Sequence, residues 1–240
     1  MVQPLHNIDP SRTILFDITH PNPVPLASAT KGHAGESMKH LVQKQLAQSI
    51  ATLQAVLADE KISDTLVTIA ELTAHAMQSG HKLLVAGNGG SAADAQHLVA
   101  EFVVRLTVDR PALRAIALTT DTSILTAAGN DYGFDIVFAR QIEALGQPGD
   151  IFLGISTSGN SKNILKALHQ AKKIDITTIG LSGNDGGQMR TLCDHNIIVP
   201  SSVTMNIQES HLALEHIFCM LVERCIFGHG FDTKPQVLSE

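Results

Sequence analysis

The sequence predicts a three-layer α/β domain: a five-stranded, doubly wound parallel sheet, with two helices leading into it and one long helix closing it. Three observations carry this. Short apolar runs recur between residues 82 and 200, and helical segments separate most of them, the pattern of a parallel sheet covered on both faces. Before and after that region the apolar spacing is helical. Two turns rich in glycine, serine and threonine follow predicted strands and run straight into predicted helices, as at the ligand-binding edge of such sheets.

The elements follow in order. Pro4, Pro10, Pro21, Pro23 and Pro25 crowd the first 25 residues, so residues 1–35 read as an extended arm. Its apolar patch TILFDI (13–18) is expected to dock on this chain or a neighbour. Over 37–58, Leu41, Leu46, Ile50, Leu53 and Leu57 fall near one helical face. A second helix spans 62–79 and is closed by Gly80. The strands are KLLVAG (82–87), ALRAIALT (112–119), DIFLGIS (150–156), ITTIGLS (176–182) and NIIVP (196–200). A helix is expected at 162–173 and the closing helix at about 206–227, giving one domain over 36–240.

Composition narrows the function classes. The chain is 44% hydrophobic and 17% charged, with a net charge of −6 and 17 scattered Lys and Arg, which argues against a broad nucleic-acid face. No run of about 18 apolar residues suggests a membrane span. The N-terminus lacks a signal-peptide pattern, so a cytoplasmic location is expected. Cys193, Cys219 and Cys225 lack zinc-like spacing and read as buried thiols in a reducing compartment.

The first turn, GNGGSA, satisfies G-x-G-x-x-A through Gly87, Gly89 and Ala92. A dinucleotide site also wants an acid about 20 residues on, whereas Asp121 follows by about 30. Two readings remain: an anion held at a helix N-terminus, and a tight turn with no ligand. The second turn, STSGNS (156–161), offers Ser156, Thr157, Ser158 and Ser161 at another helix start. Oriented N–H and O–H donors of this kind hold a phosphate monoester without basic residues. His97 and Glu101, four apart, share a helix face roughly 6 Å apart and could reach one ion or substrate. Gln208 and His216 lie roughly 12 Å apart along the last helix, awkward for two ligands of one ion. His211 and Glu215 read as a structural ion pair, buried or at an interface.

Together GNGGSAADAQHLVAE, GNDYGF (129–134), LGISTSGNSKNILKAL (153–168) and IQESHLALEH (207–216) resemble the phosphoheptose isomerases of the sugar isomerase (SIS) family, over about residues 40–228. The resemblance implies a flavodoxin-like SIS fold and a zinc ion bound by His97, Glu101, Gln208 and His216. Glu101 and His216 would be the acid–base pair. Phosphate would sit on Ser156, Thr157, Ser158 and Ser161, and the sugar on Asn88, Gly89, Gly90, Glu101, Asn130, Asp131 and Gln208. The implied reaction converts sedoheptulose 7-phosphate to D-glycero-D-manno-heptose 7-phosphate through a cis-enediol, the first step toward ADP- or GDP-heptose. Glu101 would be the carbon base and His216 the oxygen acid. A ligated carboxylate is a poorer base, so either the ligands shift in turnover or the metal is structural. The family implies a homotetramer with sites at subunit contacts. Two alternatives stand beside it: a non-catalytic SIS regulatory protein of the DnaA-binding type, and an isomerase of another phosphosugar. Asn206 bears on the second, because the family usually carries arginine there, a natural contact for an anionic ligand.

Overall fold

Residues 37–228 are described by the structure, a computed structural model. The expected N-terminal arm and its TILFDI patch lie outside the described residues. Helix α1 (Met38–Ala58) starts at Ser37, whose hydroxyl accepts from the His40 N–H, and α2 (Glu60–Gln78) starts at Asp59, whose carboxylate accepts from Lys61 N–H. Then follow β1 (Leu83–Ala86), α3 (Gly90–Val103), β2 (Ala115–Ala117), α4 (Thr122–Tyr132), a 3-10 turn (Phe134–Ile136) and α5 (Val137–Leu145). The chain continues through β3 (Ile151–Ser156), α6 (Lys162–Lys173), β4 (Thr177–Gly183), α7 (Met189–Leu192), β5 (His195–Val199) and α8 (Thr204–Phe227). None of these helices is long and apolar enough to cross a membrane.

All five strands are parallel, in the order β2-β1-β3-β4-β5. Side chains alternate between two cores because the strand period is two. Leu83, Val85, Ile151, Leu153 and Ile155 face α2, α3 and α8, meeting Ile69, Leu98, Phe102 and Phe218. Leu84, Ala86 and Phe152 face α5 and α6, meeting Phe138, Ile142, Ile164 and Leu168. The winding direction reverses between β1 and β3. Sheets of this kind bind ligands outside the carboxyl ends of the strands at such a reversal, and the two candidate turns follow β1 and β3 there.

Two expectations need correction. The strand expected over 112–119 shrinks to Ala115–Ala117, because the Leu113 N–H bonds to the Phe102 carbonyl at the end of α3 rather than to a strand. Asp121, whose spacing already spoke against a ribose role, caps α4 by accepting from Ile124 N–H at 2.9 Å. Cys193 and Cys219 are buried but Cys225 is exposed. Six residues along a helix turn Cys225 about 120° away from the face of Cys219, so an apolar stretch did not suffice to bury it.

Candidate active site

The turns after β1 and β3 are joined by paired amides. Asn88 Nδ2 donates to Asn163 Oδ1 at 2.9 Å, and Asn163 Nδ2 donates back to Asn88 Oδ1 at 2.8 Å. Asn163 is buried in the first turn of α6, and its Oδ1 also accepts from Ile164 N–H. Sequence reasoning missed this residue. Its signal was only an asparagine at a helix start, and its partner lies 75 positions away.

In the second turn Ser156 Oγ and Ser161 Oγ lie 2.9 Å apart, and Ser158 Oγ accepts from Asn160 N–H. Ser161 is the N-cap of α6, yet its hydroxyl faces Ser156 instead of capping the helix. Serine hydroxyls and a helix start with no side-chain cap thus share one loop, an arrangement that suits a phosphate monoester.

Helices α3 and α8 run side by side. At one end Gln208 packs over Gly90, where a Cβ would overlap the glutamine amide, so only glycine permits this approach. Seven residues along α3 and eight along α8, His97 Nε2 and His216 Nε2 meet at 2.8 Å, one donating and the other accepting. Glu101 Oε1 lies 3.6 Å from His97 Nε2. One ligand atom from each of His97, Glu101 and His216 falls within 4.8 Å of the others. Two imidazole nitrogens and a carboxylate oxygen are a donor set suited to zinc, and the cluster is partly open to solvent. Gln208 stays at the Gly90 end, about 12 Å from His216 by helix rise. Asn130 and Asp131 are exposed on the last turn of α4, where Asn130 Nδ2 donates to Asp131 Oδ1 at 2.8 Å.

The expected ion pair of His211 and Glu215 is not one. His211 Nε2–H donates to the Ser182 carbonyl at 3.0 Å, while its Nδ1 and both Glu215 oxygens find no hydrogen-bond partner among the described residues. Burial lowers His211 to about 4. Burial first, then the neighbouring Asp94, raises Glu215 to about 8. Desolvation has neutralised both. Between 4.5 and about 8 the unfolded chain carries fewer protons at Glu215 than the fold does, so this group's contribution to stability falls as pH rises. His211 opposes it only between about 4 and 6.5. Glu215→Gln is therefore expected to raise Tm more at pH 8 than at pH 6.5, read by thermal denaturation. Equal shifts at both pH values would mean that the carboxyl is ionised in the fold.

Asn206 also departs from expectation. It is 2% exposed, its Oδ1 accepts from Gln45 Nε2 at 2.8 Å, and its Nδ2 lies 3.5 Å from Thr52 Oγ1. The side chain ties α8 to α1.

Comparison with known proteins agrees with this architecture. The SIS domain family matches residues 45–183. Phosphoheptose isomerase 2 of Campylobacter jejuni is 54% identical over 200 residues, covering 83% of this chain and 99% of that one. The phosphoheptose isomerase of Aneurinibacillus thermoaerophilus is 52% identical over 194 residues, covering 81% and 98% respectively. The structure of a phosphoheptose isomerase from Neisseria gonorrhoeae superposes with a TM-score of 0.74 at 42% identity, covering 78% of this chain and 99% of that one. With its two helix-start turns and its helix-borne His/Glu/His cluster, this chain belongs to the SIS domain family, among the phosphoheptose isomerases.

Proposed function

We propose that this protein is an aldose–ketose isomerase that converts sedoheptulose 7-phosphate to D-glycero-D-manno-heptose 7-phosphate, supplying heptose for nucleotide-activated precursors. The observation that carries this is the convergence of His97, Glu101 and His216 between α3 and α8, in a chain 54% identical to a named phosphoheptose isomerase.

The reaction moves a proton from C1 to C2 while the C2 carbonyl becomes a hydroxyl. Glu101 takes the C1 proton and returns it to C2 of the cis-enediol. His216 delivers a proton to the C2 oxygen and accepts one from the C1 hydroxyl, which becomes the aldehyde. Ser156, Thr157, Ser158 and Ser161 hold the phosphate. Asn88, Gly89, Gly90, Asn130, Asp131 and Gln208 contact the sugar. Zinc would fit the donors of His97, Glu101 and His216, whereas Gln208, which the resemblance adds to the set, stands about 12 Å from His216 along α8. When bound, zinc polarises the carbonyl and holds enediolate charge. The test is turnover of sedoheptulose 7-phosphate by purified protein, with and without zinc, beside a panel of other phosphosugars. Turnover of another sugar alone would replace the substrate. No turnover of any would favour a binding module.

The same reading makes the protein a cytoplasmic homotetramer with active sites at subunit contacts. Its support is physical: Met38, Leu41, Val42, Leu46, Ile50 and Leu57 of α1 remain exposed, beside an apolar groove of about 280 Å³ between α1, α2 and α8. Among the described residues nothing covers that face, and an apolar surface of this kind marks an interaction site. Light scattering after gel filtration is expected to give four times the mass of one chain. A monomer at micromolar concentration would overturn the assembly.

A further inference from the structure

Glu101 lies in the last turn of α3, where a helix runs out of N–H groups for its carbonyls. Neither a glycine nor a lysine caps this end. Arg110 folds back from the following loop: Nη2 donates to the Glu101 carbonyl at 2.8 Å and Nη1 to the Phe102 carbonyl at 2.7 Å. Its Nε donates to Glu223 Oε1 of α8 at 2.8 Å. Both side chains are buried, with 1% and 0% exposure. The Phe227 ring, also on α8, lies 5.9 Å from the guanidinium carbon.

Glu223 does more than neutralise the arginine. It accepts from the N–H groups of Leu106 and Thr107 and from the Thr107 hydroxyl at 2.7 Å, fastening the loop that presents Arg110. Seven residues before Glu223 on the same helix stands His216. Two helical turns place them on one face, about 10 Å apart. The two helices that carry Glu101 and His216 are therefore joined, at the Glu101 end, by one guanidinium bound to both.

We propose that Arg110, held by Glu223, is a positioning residue that sets the place of Glu101 against His97 and His216. The inference rests on Glu101 being the carbon base. A guanidinium suits the task because one rigid fork reaches two carbonyls and a carboxylate, whereas an ammonium presents a single point charge. Its charge also complements the carbonyl end of the α3 dipole. The carbon base must meet C1 at hydrogen-bond distance in the transition state, and a shift of about 1 Å there costs on the order of a hundredfold in rate. The proposed phosphate loop lies on β3 and α6, and Gly90 and Gln208 lie toward the opposite ends of α3 and α8 from Arg110, so ground-state affinity is expected to change little.

The test compares Arg110→Lys, Arg110→Ala and Glu101→Gln with the wild type in steady-state kinetics. Arg110→Lys is expected to lower kcat about 10–100-fold, the usual scale for a group that orients a catalytic ligand, with KM within about threefold. Guanidinium ion added to Arg110→Ala should restore part of the loss. Amide exchange at residues 103 and 104 of metal-free Arg110→Lys should rise. If Arg110→Ala fails to fold, Arg110→Lys still decides. Wild-type kcat in Arg110→Lys, with lowered Tm alone, would make the pair purely structural and overturn the proposal. Full activity in Glu101→Gln would instead remove the base that the pair is said to position.

Discussion

Glu101→Gln is expected to lower kcat for sedoheptulose 7-phosphate by about 10²–10⁴-fold, the range for losing a positioned general base. That is about 3–5 kcal/mol of transition-state stabilisation. Glutamine matches glutamate in shape and fits a side chain that is 19% exposed on α3. What changes is the proton acceptor at C1 and the partner of His97, now 3.6 Å away. The serine loop proposed to bind phosphate lies on β3 and α6, separate from this substitution, so KM should move by less than about tenfold. Circular dichroism and Tm establish that the variant is folded. A kcat within tenfold of wild type would exclude Glu101 as the carbon base.

The second large effect is expected at Gly159→Ala. Gly159 adopts φ +64 in the middle of the serine loop, a conformation that costs an L side chain about 1–2 kcal/mol. A Cβ there would also overlap the Gly186 carbonyl in the loop after β4. Both partners are backbone, so no side chain can yield. Relief requires the loops to separate, against the bond from Met189 N–H to the Gly159 carbonyl at 3.1 Å. It also disturbs the Gly159 N–H bond to Ser156, the residue whose hydroxyl meets Ser161. The combined cost is about 2–5 kcal/mol of stability, with KM raised at least about tenfold as the phosphate donors lose register. Urea unfolding and competition by inorganic phosphate measure the two parts. Unchanged Cm and unchanged phosphate competition together would show that the loop tolerates a side chain and does not depend on this turn.

Both effects arise where elements far apart in sequence converge. The sequence by itself determined what is local. Strand period, helix spacing and turn chemistry depend on residues within a few positions of each other, so the five strands and the helices at 162–173 and 37–58 were legible to within a residue or two at most ends. His97 and Glu101 were legible as a pair because a helix repeats on one face every four residues. The four motifs together made the family legible as well.

Tertiary structure decided what depends on distant partners. His216 joins His97 across 119 positions, while Gln208, on the same helix, is left beside Gly90. Asn206 turns to α1, and Asn88 finds Asn163, neither of which a local pattern encodes. The charge state of the last helix was decided there too. An i, i+4 spacing places His211 beside Glu215, but only burial sets the cost of ionising them, and that cost turned an expected ion pair into two neutral groups. Arg110 reads as an ordinary loop cation until Glu223 of α8 encloses it. Spacing is a property of the chain, whereas desolvation and long-range pairing are properties of the packed fold, and the reactive geometry of this site depends on the latter.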